Sequence, residues 1–390
     1  MNEDDIYRTS TQYRHWSYTE ESLASLRVTT NLLATTRVKD AIKRKQLESN
    51  GAIKAGDGGT KDIKLNDIDC LTVEEEQRLV DYYCTKAMEL ADFCEFPTNV
   101  KATAVQYLRR FYLSNSPMTY HPKQIMPSAL FLATKTDNNY ISLKNFVSKL
   151  GKATPEDVVA PEFLLTQGLR FMFDVRHPQR GLEGGFMELQ ALASGRYVSV
   201  AAIKASPKEL QSAMMKLTPA LADNPKPKTA EEVKVRIQIA HGKAKEILKT
   251  SALLTDAYFL YTPSQIWLSA LLLADKPLAT FYVELKLRNS DEMTSRVMLV
   301  LESCAELMRL APSVNPGEAE MKELKRIDKK LYQCRNPEKI DLVGMNKSQK
   351  RDGEAKGSGR LDEKIVKKRK MERENHMKEG EELFGSALVK

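Results

Sequence analysis

The chain has 390 residues, 42% hydrophobic and 29% charged, enough to bury two ordinary cores with charged extensions left over. No apolar run approaches ~18 residues, and the opening Met-Asn-Glu-Asp-Asp is acidic where a secretion signal is basic, so neither a membrane span nor export is expected. The net charge of +8 suits acidic partners, but the Lys and Arg are mixed with Asp and Glu almost everywhere, so direct nucleic-acid binding is not expected.

The first predicted element follows an aromatic cluster, Tyr13, Trp16 and Tyr18, and runs to about Leu47, with Thr19, Glu20 and Glu21 suited to a helix start. Such aromatics are costly to leave in water and should pack on the repeats or against a partner. Gly51, Gly56, Gly58 and Gly59 then break the pattern and predict a mobile loop, closing an N-terminal segment over 1–71.

A first helical unit is expected over 72–176. Thr72 and the Glu74 to Glu76 run fit a capped N-terminus, and Leu79, Tyr82, Tyr83, Ala87 and Leu90 recur as a buried face. The next helix begins at Pro97, with Val100, Ala104, Tyr107, Leu108 and Phe111 as its apolar stripe and Lys101, Arg109 and Arg110 largely off it. A third helix carries Ile125, Met126, Ala129, Leu132 and Ala133 on one face, with Pro127 expected to kink it or delay its start. Helices over 142–150 and ending near Val175 complete five, the last expected to start at Pro161.

A second unit is expected over 177–312, with an insertion near 194–229 that holds Pro207, Pro219, Pro225 and Pro227. Helices are predicted over 230–254, after the capping box Thr262-Pro263-Ser264-Gln265, and over 281–287 and 292–310. A helix over 313–334 places Met321, Leu324, Ile327 and Leu331 on one side and Cys334 at its end. The tail, 335–390, is mostly Lys, Arg, Glu, Gly and Ser with little to bury, and contains Lys367-Lys368-Arg369-Lys370, a run that reads equally as a nuclear-import signal or as a solvated charged helix. Strand signals are nearly absent, so the fold is expected to be all-α.

The chain also repeats itself. Tyr120, Pro122, Gln124, Ile125, Ser128, Ala129, Leu130, Leu132, Ala133 and Lys135 reappear at the same spacing as Tyr261, Pro263, Gln265, Ile266, Ser269, Ala270, Leu271, Leu273, Ala274 and Lys276. A separation of 141 residues matches one small domain rather than a solenoid repeat, which implies two tandem helical units.

No chemistry is written in the residues. No G-x-x-x-x-G-K-[ST] occurs, Gly58-Gly59 and Gly184-Gly185 sit in no strand-loop-helix setting, and no Ser, His and Asp group announces a triad. The five cysteines form no C-x-x-C pair and the five histidines are scattered, so no metal, disulfide framework or cofactor is expected, and the thiols read as reduced and mostly packed.

Two five-helix units flanked by N- and C-terminal helices resemble the cyclin fold. The segment Leu254-Thr255-Asp256-Ala257-Tyr258-Phe259-Leu260-Tyr261-Thr262-Pro263-Ser264-Gln265-Ile266 is similar to the second repeat of the cyclin H group. So are Arg110-Phe111-Tyr112-Leu113, Tyr120-His121-Pro122, Phe131-Leu132-Ala133-Thr134-Lys135 and the early Gln12-Tyr13-Arg14-His15-Trp16. The resemblance spans about Tyr7 to Cys334 and implies a non-enzymatic regulatory subunit of the CDK-activating kinase. The partners it implies are the cyclin-dependent kinase, a RING-finger assembly subunit and the TFIIH core, with a place in the nucleus in transcription, excision repair and cell-cycle control.

By the same resemblance Lys135 and Glu162 hold the kinase. Read without it, the residues favour the plainer roles, Lys135 as a helix-end lysine suited to the dipole and Glu162 as a helix-start acid, and Lys276 at the matching position of the second repeat is assigned a structural role. The family carries two acids after this lysine where Asp137-Asn138 stands here, and the Met-Arg-Ala-Ile-Leu docking patch of cell-cycle cyclins does not occur. A TFIIB-like factor that uses the same fold on nucleic acid, or another transcriptional cyclin, is the alternative. Because the tail lacks apolar residues at helical spacing, truncation after Asn346 should leave the thermal melting temperature unchanged.

Overall fold

The computed structural model describes residues 3–52, 69–151, 153–196, 206–218, 229–287 and 291–334. Among them seventeen α-helices and no strand occur. Helices α1 (Glu3–Thr9), α2 (Thr11–Trp16) and α3 (Glu20–Ala52) precede a first unit of α4 (Val73–Phe93), α5 (Thr98–Ser114), α6 (Pro122–Thr136), α7 (Leu143–Leu150) and α8 (Pro155–Gly168). The second unit holds α9 (Gln179–Ala193), α10 (Pro207–Met215), α11 (Ala230–Lys249), the one-turn α12 (Ser251–Leu254) and α13 (Ala257–Leu260), α14 (Pro263–Ala274), α15 (Lys276–Lys286) and α16 (Asp291–Arg309). Helix α17 (Glu318–Cys334) follows. The glycine loop beyond Ala52, most of the insertion and the tail with its basic run lie outside the described residues.

Several boundaries differ from expectation. Helix α3 runs on through Gly51 to Ala52, and the helix predicted over 230–254 breaks at Thr250, whose φ of −122° and ψ of −82° leave the helical region. Helix α8 starts at Pro155, not Pro161, because Thr154 and Asp157 form a capping box with proline at the first position. Pro161 is carried inside α8, as Pro127 is inside α6. The same helix stops at Gly168 rather than near Val175, since Arg170 and Phe171 take positive φ values of 53° and 57°. Of the insertion, α10 is seated on α9: Leu210 and Met214 are buried and the Gln211 amide donates to the Ala193 carbonyl at 2.7 Å.

The duplicated segments are the central helices of their units. Helix α6 packs on α4, α5 and α8, and α14 on α9, α11, α15 and α16. Their repeated alanines, Ala129, Ala133 and Ala270, are fully buried and let neighbours come close. The repeated serine has a job that composition could not show: Ser128 Oγ donates to the Val158 carbonyl at 2.6 Å, and Ser269 Oγ to the Leu301 carbonyl at 2.9 Å. In both units it ties the central helix to the last, α6 to α8 and α14 to α16. Thr262 and Gln265 form the expected capping box, whereas His121 caps α6 and the matching Gln124 stands exposed. Glycines 181 and 185 allow α9 to lie on Trp267 of α14, for an added Cβ would come within 2.5 Å and 2.7 Å of the indole.

The largest departure concerns α5. Every residue from Val100 to Leu113 is buried, including Lys101, Arg109 and Arg110, which lie largely off the apolar stripe. Neighbours cover the polar side as well, so each cation needs an internal partner. Lys101 reaches Asp92 at 2.5 Å. Arg109 bridges Asp81 at 2.5 Å and Asp256 at 2.7 Å, and also donates to the Leu254 carbonyl. Asp256 in turn takes a two-bond fork from Arg27 of α3 at 2.7 and 2.6 Å. Burial alone would raise the Asp256 pKa, but the two arginines outweigh it and hold the carboxyl at about 2. Four charges thus fasten α3, α4, α5 and the start of α13 at one point.

Helix α17 is held on α4 by charge as well as by Ile327, Leu331 and Cys334. Glu75, which closes the capping box with Thr72, accepts from Arg326 at 2.5 Å and Lys330 at 2.8 Å. One residue on, Glu76 is buried beside Ser116 and Asn31, and burial pushes its carboxyl up to about 7 despite those hydrogen bonds.

The folded chain therefore keeps the Glu76 proton to about pH 7, where an unfolded carboxyl loses it near 4.5. Folding takes up a proton between these values, so this residue's contribution falls as pH rises through the window and levels off above it. Glu76→Gln, which mimics the protonated form, should be more stable than the parent above pH 7, by up to about 3 kcal/mol, and should converge with it below about pH 4.5. Urea melts at pH 4.5, 6 and 8 measure the difference.

Candidate partner-binding site

Lys135 lies in the last turn of α6 and Glu162 on α8, and the structure brings them together: Nζ stands 2.5 Å from Oε1. The ammonium also rests 4.4 Å from the centroid of Phe131, one turn back on α6. The lysine side chain is 41% exposed and the glutamate 21%, so an ion pair at the surface is already formed and aimed outward. Phe163, the residue after Glu162, and Phe171, past the end of α8, are exposed large apolar side chains. Neither was singled out from the sequence, where an aromatic after an acid reads as core.

The turn after Lys135 explains the pair Asp137-Asn138. Asp137 caps α6 through its own N–H to the Ala133 carbonyl, and its carboxylate accepts from Thr103 Oγ1 at 2.8 Å, with burial raising its pKa. Asn138 has a φ of 55°, the left-handed position after a helix that asparagine tolerates better than other residues with a side chain. Thr103 Oγ1 is also 2.9 Å from His177 Nε2, and His177 Nδ1 is 3.2 Å from the Tyr258 hydroxyl. Burial drives the His177 pKa down to about 3, so the ring is neutral and works as a hydrogen-bonding link between the two units.

Lys276 does the same thing as Lys135 in its own unit, pairing with Glu302 of α16 at 2.8 Å. Pair geometry alone therefore does not separate the two lysines. Their settings differ: Lys135 is in a last helical turn over an aromatic ring, whereas Lys276 is the first residue of α15 and 66% exposed.

The N-terminal aromatics divide. Trp16 is buried between two guanidinium groups, with Arg110 Cζ at 5.1 Å and Arg170 Cζ at 5.3 Å from the ring. Tyr18 lies edge-on to Phe259 of the second unit, and its N–H donates to the Phe259 carbonyl at 2.8 Å. Tyr13 is 42% exposed and leans on Tyr7. Arg110 has no ion-pair partner among the described residues. It donates to Gln12 Oε1 at 3.2 Å and the Asp174 carbonyl at 3.1 Å, and burial lowers its pKa to about 10, which leaves it charged at neutral pH. Gln12 also accepts from the Arg176 N–H at 2.7 Å. The N-terminal segment is thereby clamped to both units.

Among the described residues no cluster of His, Cys, Asp and Glu could hold a metal, and no helix is long and apolar enough to cross a membrane.

Comparison with known proteins agrees with this architecture. Residues 66–174 match the model of the cyclin N-terminal domain and residues 177–309 that of the cyclin C-terminal domain. The cyclin mcs2 of Schizosaccharomyces pombe is 30% identical over 85% of this chain and 86% of its own length. The cyclin Ccl1 of Saccharomyces cerevisiae is 34% identical over 73% of this chain, which spans 62% of that protein's length. A chain in the structure of the CAK complex of Chaetomium thermophilum bound to ATP-γ-S superposes with a TM-score of 0.70 at 31% identity, covering 93% of this chain and 99% of that one. A chain of the yeast TFIIK (Kin28/Ccl1/Tfb3) complex matches with a TM-score of 0.52 at 28% identity, over 77% of this chain and all of that one. The chain belongs to the cyclin family.

Because Trp16 is enclosed, truncation to Ala should be felt as stability. Trp16→Ala is expected to cost about 3–5 kcal/mol, while Tyr13→Ala, at an exposed ring, should stay within about 1 kcal/mol. Denaturant melts of the two variants give the comparison.

Proposed function

We propose that the chain is the regulatory cyclin subunit of a CDK-activating kinase of the TFIIH type, and that it contributes no chemistry of its own. The observation that carries this reading is the preformed Lys135–Glu162 pair, which joins the last turn of α6 to the middle of α8, in a chain whose relatives and structural neighbours are cyclins and subunits of CAK and TFIIK complexes. A lysine and a glutamate held in fixed register offer donors and acceptors to kinase backbone groups with little ordering left to do on binding. Phe163, the exposed aromatic that follows Glu162, supplies apolar area that such a contact needs.

The cyclin binds the active arrangement of the kinase more tightly than the inactive one, and its effect is bounded by that difference. In kinase terms it presses the helix that carries the catalytic glutamate inward, so that the glutamate pairs with the lysine that grips ATP. The kinase, a RING-finger assembly subunit and the TFIIH core are the partners of this reading, and the nucleus is its compartment. Transcription by RNA polymerase II, excision repair and cell-cycle control are the processes it serves.

In the free chain the Lys135–Glu162 pair is partly exposed and contributes at most about 1 kcal/mol, so removing it should barely move the melting temperature. Against the kinase it would be buried, where losing one partner of a hydrogen-bonded charge pair costs roughly 3–5 kcal/mol, or about two to four orders of magnitude in Kd. Lys135→Ala and Glu162→Ala should therefore weaken kinase binding and activation strongly, and Lys276→Ala should bind nearly as the parent. Titration calorimetry with the kinase, paired with an activation assay, decides it. Equal losses at Lys135 and Lys276, or robust ATP turnover by the isolated chain, would sink the reading.

A further inference from the structure

A line of four hydrogen-bonded side chains crosses from the second unit to the end of the helix that carries Lys135. Tyr258 of α13 is buried, and its hydroxyl stands 3.2 Å from His177 Nδ1. His177 Nε2 is 2.9 Å from Oγ1 of Thr103, a buried residue of α5, and the same hydroxyl is 2.8 Å from Asp137 Oδ2. Asp137 is the C-cap of α6, two residues beyond Lys135. A second tie runs beside this one. The Tyr107 hydroxyl, also on α5, is 2.8 Å from the Phe173 carbonyl oxygen and 2.9 Å from Oγ1 of Thr136, the residue next to Lys135. Phe173 and His177 both belong to the connection between α8 and α9, so the stretch that joins the units grips, through α5, both residues that follow Lys135.

The order of protons along the line has one solution. An ionised carboxylate only accepts, so the Thr103 hydroxyl donates to Asp137. Thr103 Oγ1 is then the acceptor for His177, whose neutral ring carries its proton on Nε2 and turns a bare Nδ1 to the Tyr258 hydroxyl. In its other tautomer the imidazole would present a proton to Tyr258 and a lone pair to Thr103, and the donation that holds Thr103 would be lost. The Tyr258 hydroxyl therefore selects the form of His177 that supports the end of α6.

We propose that Tyr258, His177 and Thr103 are positioning residues for Lys135, through which the second unit sets the geometry of the partner-binding lysine on the first. The exit of α6 is a tight one: Asn138 takes a left-handed φ of 55°, and the Asn139 N–H bonds back to the Thr134 carbonyl at 2.9 Å. Without the Thr103 hydroxyl the half-buried Asp137 carboxylate loses a donor, and the turn must loosen to reach water. Lys135 meets Glu162 at 2.5 Å and lies 4.4 Å from the Phe131 ring centroid from that last helical turn, so a looser exit unseats the pair. At the matching turn of the second unit Asp275 is gripped by Arg236 of α11, inside its own unit, and the tie there does not cross units. The consequence for binding rests on the kinase reading above, whereas the coupling between the units does not.

The test uses the full chain and two readouts. The first is amide hydrogen exchange in the free chain at Asp137 and Asn139. Tyr258→Phe and Thr103→Val should speed exchange there several-fold, although Tyr258 lies in the other unit. Thr103→Ser, which keeps the hydroxyl, should match the parent, and so should Tyr261→Phe, which removes a hydroxyl of the second unit outside the line. The second readout is kinase affinity by calorimetry in a double-mutant cycle. Tyr258→Phe should weaken binding by about 3- to 30-fold in the parent and have no further effect in the Lys135→Ala background. A purely structural loss would weaken both backgrounds alike. Should Thr103→Val fail to fold, Tyr258→Phe, which keeps the ring in place, carries both readouts. Unchanged exchange at the α6 exit overturns the proposal. So does a Tyr258→Phe variant that binds as the parent, or one whose loss adds to that of Lys135→Ala. If Lys135→Ala itself binds as the parent, the kinase reading falls, and exchange alone decides the coupling.

Discussion

The structure depends on where a buried arginine finds its carboxylates. Helix α5 is enclosed on all sides, and Arg109 at its middle can be accommodated only because Asp81 of α4 and Asp256 before α13 converge on it, with Arg27 of α3 balancing the second acid. Such a cluster does little for net stability when compared with a well-packed apolar core, since taking charges out of water is expensive. Its effect is on alternatives. Any packing that separates the N-terminal helix, the first unit and the second leaves an unpaired charge in the interior, which costs far more than a misplaced leucine.

That constraint gives a physical reason for the segment from Leu254 to Ile266. Asp256 receives the arginines, Tyr258 meets His177, Phe259 meets Tyr18, and Thr262 caps the central helix α14. Each of four successive contacts goes to a different part of the molecule, so the segment is the joint of the structure. The hydrogen-bond chain from Tyr258 through His177 and Thr103 ends on Asp137, the cap of the helix that presents Lys135. The position of the surface lysine is thus set from within, by Ser128 fastening α6 to α8 on one side and by Asp137 fastening its end to α5 on the other.

Duplication built the two units on one plan and then let their ends diverge. Both central helices use a serine to hold the last helix of their unit, and both lysines find an acid there. In the first unit the helix continues far enough for Lys135 to lie over Phe131. In the second it stops at Ala274, and Asp275, itself gripped by Arg236 at 2.7 Å, caps α15 instead. The earlier stop leaves Lys276 at a helix start, and Leu272 stands where the first unit has Phe131, so only Lys135 has an aromatic platform.

The helices, their order and the central pair could be read in the chain because apolar period, caps and a repeated text are local signals. Lys135 and Glu162 were legible only through resemblance; nothing in their spacing of 27 residues says they touch. Lys101, Arg109 and Arg110 were read only as lying largely off the apolar stripe, and their burial was not legible, since a 3.6-residue period marks the most apolar face but cannot say whether the opposite face is also covered. The start at Pro155 was legible in the local text Thr154-Pro155-Glu156-Asp157, the same kind of cap as at Thr262, but was overlooked in favour of Pro161, whereas the exit at Gly168 depends on left-handed residues that no local pattern announces. The sequence by itself determined that this is an all-helical protein made of two related units. Tertiary structure alone decided which charges lie inside and that Trp16 is held between Arg110 and Arg170, because those contacts join residues tens to hundreds of positions apart and arise only when whole helices pack.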